Sequence, residues 1–181
     1  MELNLRNRRV LITGGSRGIG LACAQAFAAE GCNLILSARD PGKLSQAADA
    51  IRAAHQIRVE THPADLSKPE DRERLHAAHP EVDILLNNAG AIPGGRLQDI
   101  PIARWQAAWD LKVFGYIHLC GLYLPGMEAR KSGVILNIIG MAGRAPRPGY
   151  ICGGTGNAAL IAFTSALGAQ ATGLKEGTPV V

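Results

Sequence analysis

Val10-Leu11-Ile12-Thr13-Gly14-Gly15-Ser16-Arg17-Gly18-Ile19-Gly20 is the stretch on which the fold turns. Three apolar residues in succession read as a buried strand, and the glycines after them as a tight turn that opens a helix near Gly18. Glycine at such a turn lets the backbone bend sharply and come close to a ligand. A helix N-terminus adds unpaired N–H groups and a partial positive charge. A strand before, a helix after and a place near the start of the chain are the context of a pyrophosphate-binding turn in a dinucleotide domain.

Outward from that turn, short apolar runs alternate with longer amphipathic ones. The first helix is predicted over residues 18–30, with Gly31 closing it in the left-handed conformation. A strand at 33–37 and a helix at 41–55 follow, Pro41 standing in the helix's first turn. A strand at 58–62, a helix at 68–79 and a strand at 82–86 come next. A long helix is expected at 102–127, a strand at 134–139 and a fifth helix at 150–167. Repeated strand–helix units imply crossovers and an α/β class fold: a Rossmann-type, doubly wound parallel sheet with helices on both faces. Residues 1–181 are read as a single domain. Thr178-Pro179-Val180-Val181 reads as a sixth strand that stops where it starts, so the C-terminal part of the sheet is expected to be missing from this chain.

Composition narrows the function classes. Apolar residues make up 47% and charged residues 19% of the chain, which suits a folded α/β domain rather than a disordered one. A net charge of +4, scattered and without a basic cluster, fits a small anionic ligand and argues against nucleic acid. Cys23, Cys32, Cys120 and Cys152 show no metal-ligand spacing, so free thiols and no metal are expected. No secretory signal opens the chain, and Gly, His or charges break the apolar runs before a membrane-spanning length of about 20 residues. A cytoplasmic protein with no membrane attachment is the expectation.

Two motifs make the reading more specific. The spacing Thr-Gly-x-x-x-Gly-x-Gly at residues 13–20, together with Asn87-Asn88-Ala89-Gly90 after the fourth strand, resembles the short-chain dehydrogenases/reductases over essentially the whole chain. The resemblance implies an NAD(P)-dependent oxidoreductase that interconverts a carbonyl and a secondary alcohol by hydride transfer. It assigns the cofactor to Thr13, Gly14, Ser16, Arg17, Gly18, Ile19 and Gly20, and to Asn88, Ala89 and Gly90. Asp65, matching the residue that meets the adenine amino group, and Leu66 beside it complete the nucleotide site; for Asp65 a helix-capping role is the other reading. At the end of the second strand, where NAD-binding members carry an acidic residue, Ala38 is followed by Arg39. Arg39 and Arg17 can clamp a 2′-phosphate, so NADP(H) is preferred over NAD(H).

The catalytic constellation matches only in part. Tyr150 corresponds to the family's proton-transferring tyrosine, but the lysine expected four residues later is Gly154. The serine position reads Gly140, and the helix asparagine position reads Lys112. The chain is therefore identified as an atypical member in which Lys112 is expected to project into the space left at Gly154 and to stand beside Tyr150, also a cofactor contact. An ammonium within about 4–6 Å would favour the phenolate. Without the serine, the substrate oxygen is left to Tyr150, Asn137 or a backbone N–H, and Asn157 is read as a helix-interface residue. The alternative is a catalytically silent nucleotide-binding protein acting as a sensor or scaffold. Partners are a small carbonyl or alcohol substrate and a homodimer or homotetramer built through the fourth and fifth helices, with Phe114, Gly115 and Phe163 at the surface.

Overall fold

The computed structural model describes residues 3–172. The chain runs β1 (Arg9–Thr13), α1 (Gly18–Ala29), β2 (Asn33–Ala38), α2 (Pro41–Ala54), β3 (Val59–Pro63), α3 (Pro69–Ala78) and β4 (Ile84–Asn87). It continues with α4 (Ile102–Ala129), β5 (Val134–Asn137) and α5 (Ile151–Thr172), with short 3₁₀ turns at Leu97–Asp99 and Met141–Gly143. The expected sixth strand at 178–181 lies outside the described residues.

All five strands are parallel, in the order β3-β2-β1-β4-β5. Alternate residues of each strand go to opposite faces. Val10, Ile12, Leu34, Leu36, Ile84 and Leu86 bury one face with α1 and α2. Leu11, Ile35, Leu85 and Ile135 bury the other with α3 and α4. Both faces are covered, which is why these strands read as continuous apolar runs. Chain order reverses between β1 and β4, and in sheets of this kind a crevice opens beyond the carboxyl ends of the strands at that switch point.

Local chemistry sets the boundaries. Gly31 closes α1 at φ +78°, with Cys32 N–H donating to the Phe27 carbonyl. Asp40 caps α2 by accepting the Lys43 N–H at 3.1 Å. β5 is shorter than predicted: the Ile138 carbonyl leaves the ladder and accepts from Lys112 instead.

Three further expectations need correction. Gly115 is not a surface residue, because its α-carbon faces the Leu66 carbonyl in the loop before α3, whereas Phe114 is exposed. Asn137 points into the protein, bonded to Asn87 and Thr164, and not toward a substrate. The apolar runs are not all broken early: Ile151–Ala171 is long and apolar enough to cross a membrane by length and composition. Here that stretch packs on α4 through Gly156, whose missing side chain would meet Val113 and Trp109. The four cysteines are free, as expected, and three are buried.

Candidate functional site

The turn after β1 is shaped by its glycines. Gly14 (φ +67°) and Gly18 (φ +56°) adopt a conformation that side chains disfavour. A Cβ at Gly20 would fall 2.2 Å from the Gly14 carbonyl oxygen, so only glycine lets α1 close onto the turn. Arg17 begins α1 in extended backbone, and no side chain caps the helix. Its first N–H groups are therefore free to meet an anion.

The second motif locks the first. Thr13 Oγ1 accepts from Asn88 N–H at 2.9 Å and Ala89 N–H at 3.1 Å. Asn88 Nδ2 donates back to the Thr13 and Gly14 carbonyls. Buried Thr13 and Gly20 thus hold the turn from behind and do not line the opening in front, which corrects their expected role as contact residues.

That opening is a cleft of about 890 Å³. Gly14, Ser16, Arg17, Gly18, Ile19, Arg39, Leu66, Asn88, Ala89 and Gly90 line it, and so do Lys112 and Tyr150. Arg17 and Arg39 are exposed there with no hydrogen bond or ion pair among the described residues. Asp40, beside Arg39, accepts the N–H of Lys43 in its own helix, which holds its pKa below the ordinary value. Lys43, Ala91, Ile92, Leu111, Ile138, Ile139 and Asn157 also line the cleft and were missed. Of these only Lys43 carried a signal, as a second cation close behind Arg39.

Asp65 is displaced from its expected place. It lies in a smaller adjoining recess with Arg39 and Arg104. Its Oδ1 accepts from the Ser67 N–H and hydroxyl at 3.2 and 2.8 Å. Burial pushes its pKa up, but the Ser67 donors together with the Arg39 and Lys68 charges outweigh this and leave it below the ordinary carboxylate value. These bonds lie in the loop before α3, whose N-cap is Lys68 without a side-chain cap, so Asp65 does not cap that helix.

At the other end of the cleft, Lys112 Nζ donates to the Ile138 carbonyl at 2.9 Å and to Tyr116 Oη at 3.2 Å. Its stem passes against Gly90, where a Cβ would lie 2.9 Å from Lys112 Cδ. Burial lowers its pKa to about 8. The amine is therefore inside the cleft wall, but not in the space beside Gly154: a Cβ there would meet only the Ala142 carbonyl. Tyr150 stands just before α5, its ring laid over Gly153 so closely that a Cβ would fall 2.1 Å from Cζ. Burial, and then Cys152, push its pKa up, and no cation offsets them. The expected Lys112–Tyr150 contact is not formed.

Residues 8–175 match the family model for short chain dehydrogenase. The chain belongs to that family. Among curated relatives, an uncharacterized oxidoreductase, YvaG, of Bacillus subtilis is 34% identical over 81% of this chain and 56% of its own length. D-beta-hydroxybutyrate dehydrogenase of Cupriavidus necator is 33% identical over 88% of this chain and 63% of its own length. The chain thus spans somewhat less than two thirds of these relatives. The crystal structure of L-sorbose reductase from Gluconobacter frateurii, complexed with NADPH and L-sorbose, superposes with a TM-score of 0.89 at 30% identity, covering 96% of this chain and 67% of that one. In this short-chain dehydrogenase the first turn and the Asn88 motif form one hydrogen-bonded unit, so the two sequence signatures are a single structural device.

Proposed function

We propose that the chain is the nucleotide-binding part of an NADP(H)-preferring oxidoreductase that interconverts a carbonyl and a secondary alcohol. One observation carries the reading. A single cleft joins an uncapped helix N-terminus and two exposed arginines to a tyrosine and a partly buried lysine. The residues present fit a dinucleotide: the glycine turn leaves room where any side chain would collide, and α1 offers free N–H groups. Arg17 and Arg39 would hold a 2′-phosphate, with Asn88, Ala89 and Gly90 along the ribose side. The nicotinamide, when bound, supplies hydride. Tyr150 gives its phenolic proton to the carbonyl oxygen in reduction and takes it back in oxidation. Lys112 supplies positive charge from the cleft wall beside Gly90, not from the Gly154 side. The NADPH bound by the sorbose reductase supports the cofactor preference. In this proposal the member is atypical, because Gly154 and Gly140 replace the usual lysine and serine.

A second reading has its own support. The Lys112 amine is already committed to Ile138 and Tyr116, and nothing lowers the Tyr150 pKa. Those features suit a silent nucleotide-binding protein. NADPH binding by fluorescence and NADPH consumption with a panel of small ketones separate the two: binding with turnover supports the oxidoreductase, and binding without turnover supports the silent reading. If Lys112→Met turns over as fast as the parent, the role given to Lys112 is wrong. Exposed Phe114 and Ile117 on α4 support the proposed homo-oligomer through α4 and α5.

A further inference from the structure

We infer that Asn157 is the hydrogen-bond donor that holds the substrate carbonyl oxygen opposite Tyr150, taking the place of the side chain missing at Gly140. The inference rests on the oxidoreductase reading above. Asn157 is 2% exposed, yet it lines the cleft with Tyr150 and Lys112. Its Oδ1 accepts the Gly140 N–H at 3.2 Å. A backbone N–H can only donate, so the atom facing it must be the amide oxygen, and the –NH₂ is the end left over. That –NH₂ has no acceptor among the described residues. The nitrogen is not one of the fully buried unpaired atoms, so it reaches the cleft surface, where a ligand oxygen can accept from it.

Gly140 is what admits the amide. A Cβ at residue 140 would fall 2.7 Å from Asn157 Nδ2, so the Asn157 side chain already fills the space in which a residue-140 side chain would start. The helix geometry agrees. Gly153, under the Tyr150 ring, and Asn157 are four residues apart and share a face of α5. The Tyr150 hydroxyl lies over Gly153, 2.6 Å from where its Cβ would be. The four-residue spacing is about 6 Å along the axis. A carbonyl oxygen lying between them would receive one hydrogen bond from the phenol and one from the amide. In reduction the phenolic proton moves to that oxygen as hydride reaches the carbon, and the amide N–H stabilises the charge that develops on it without itself losing a proton.

Asn157→Asp in the full chain separates this role from a structural one, because a carboxylate still accepts the Gly140 N–H but has nothing to donate. Three quantities are read: the NADPH dissociation constant, the rate of NADPH consumption with 2,3-butanedione, acetoacetate and cyclohexanone, and the affinity of the NADP⁺ complex for tetramethylene sulfoxide, an unreactive S=O analogue of a ketone. The expected result is an NADPH constant within twofold of the parent, kcat lower by about 10²–10³-fold, the usual loss for one such donor, and sulfoxide affinity at least tenfold weaker. Asn157→Ala with Gly140→Ser, which clears the space and restores a hydroxyl donor, is expected to recover at least tenfold over Asn157→Ala. An active parent whose Asn157→Asp variant keeps its rate and sulfoxide affinity overturns this inference alone, as does an equal loss in NADPH binding. A parent that binds NADPH, consumes it with no ketone and binds no sulfoxide overturns the oxidoreductase reading with it.

Discussion

Lys112 carries its amine into a partly buried wall where two oxygen atoms receive it and no carboxylate does. Desolvation is the cause of its lowered pKa, from 10.5 to about 8, and the sign of the consequence follows. Between those values the unfolded chain binds the proton that the folded chain has released, so stability rises with pH across that window. Below about pH 8 the buried charge is a standing cost of at most about 3 kcal/mol. Lys112→Met keeps the stem without the charge. Urea unfolding of that variant is therefore expected to show higher stability at pH 7 and no rise between pH 8 and 10.5. Arg17 and Arg39 pose the opposite case, since both are exposed and make no hydrogen bond or ion pair among the described residues, Arg39 acting only at longer range on Asp65. Arg39→Ala is expected to weaken NADPH binding at least tenfold and NADH binding less than twofold, as measured by nucleotide fluorescence; equal losses would remove the 2′-phosphate assignment.

Helices α1 and α5 both depend on absent side chains, with different consequences. At Gly20 the obstacle to a Cβ is backbone, the Gly14 carbonyl, which cannot move aside without opening the turn. Gly20→Ala is expected to cost several kcal/mol in chemical denaturation and to abolish nucleotide binding, in line with overpacking of a rigid site. At Gly153 the obstacle is the Tyr150 ring, which can swing away. Gly153→Ala should therefore fold with a thermal midpoint close to the parent's, bind NADPH normally and lose carbonyl turnover by at least tenfold. The existence and order of these helices were legible because each rests on a local pattern, as at Gly31, which ends α1, and Pro41, which starts α2.

Across the whole molecule, the cleft is held by ties between segments far apart in sequence. Arg72 of α3 is buried and forms no direct ion pair among the described residues, with Asp110, Glu70 and Glu73 acting only at longer range. It donates to the Leu66 and Asp110 carbonyls at 3.1 and 2.9 Å and to His118 Nδ1 at 3.1 Å. Leu66 lines the cleft, and Asp110 precedes the turn of α4 that carries Lys112. Arg72→Ala leaves two carbonyls and an imidazole nitrogen without their donor, and is expected to lower stability by about 3–5 kcal/mol in urea unfolding. Its NADPH affinity should fall as well, since the Leu66 wall is no longer held.

Read alone, the chain determined the parallel α/β layering, the glycine turn on α1 and the presence of the Asn88 motif after the fourth strand. All of these rest on short-range periodicity or on residues that glycine chemistry makes distinctive. Where the Lys112 amine goes, which atoms Asp65 engages and what fills the space at Gly140 were decided only in three dimensions. Each depends on how α4 and α5 are seated against β5 and its following loop, a register set by packing among Gly90, Gly140, Gly153 and Gly156. Glycine removes atoms without naming the neighbour that will use the room, so a sequence can show that space exists and only the tertiary structure shows which side chain enters it.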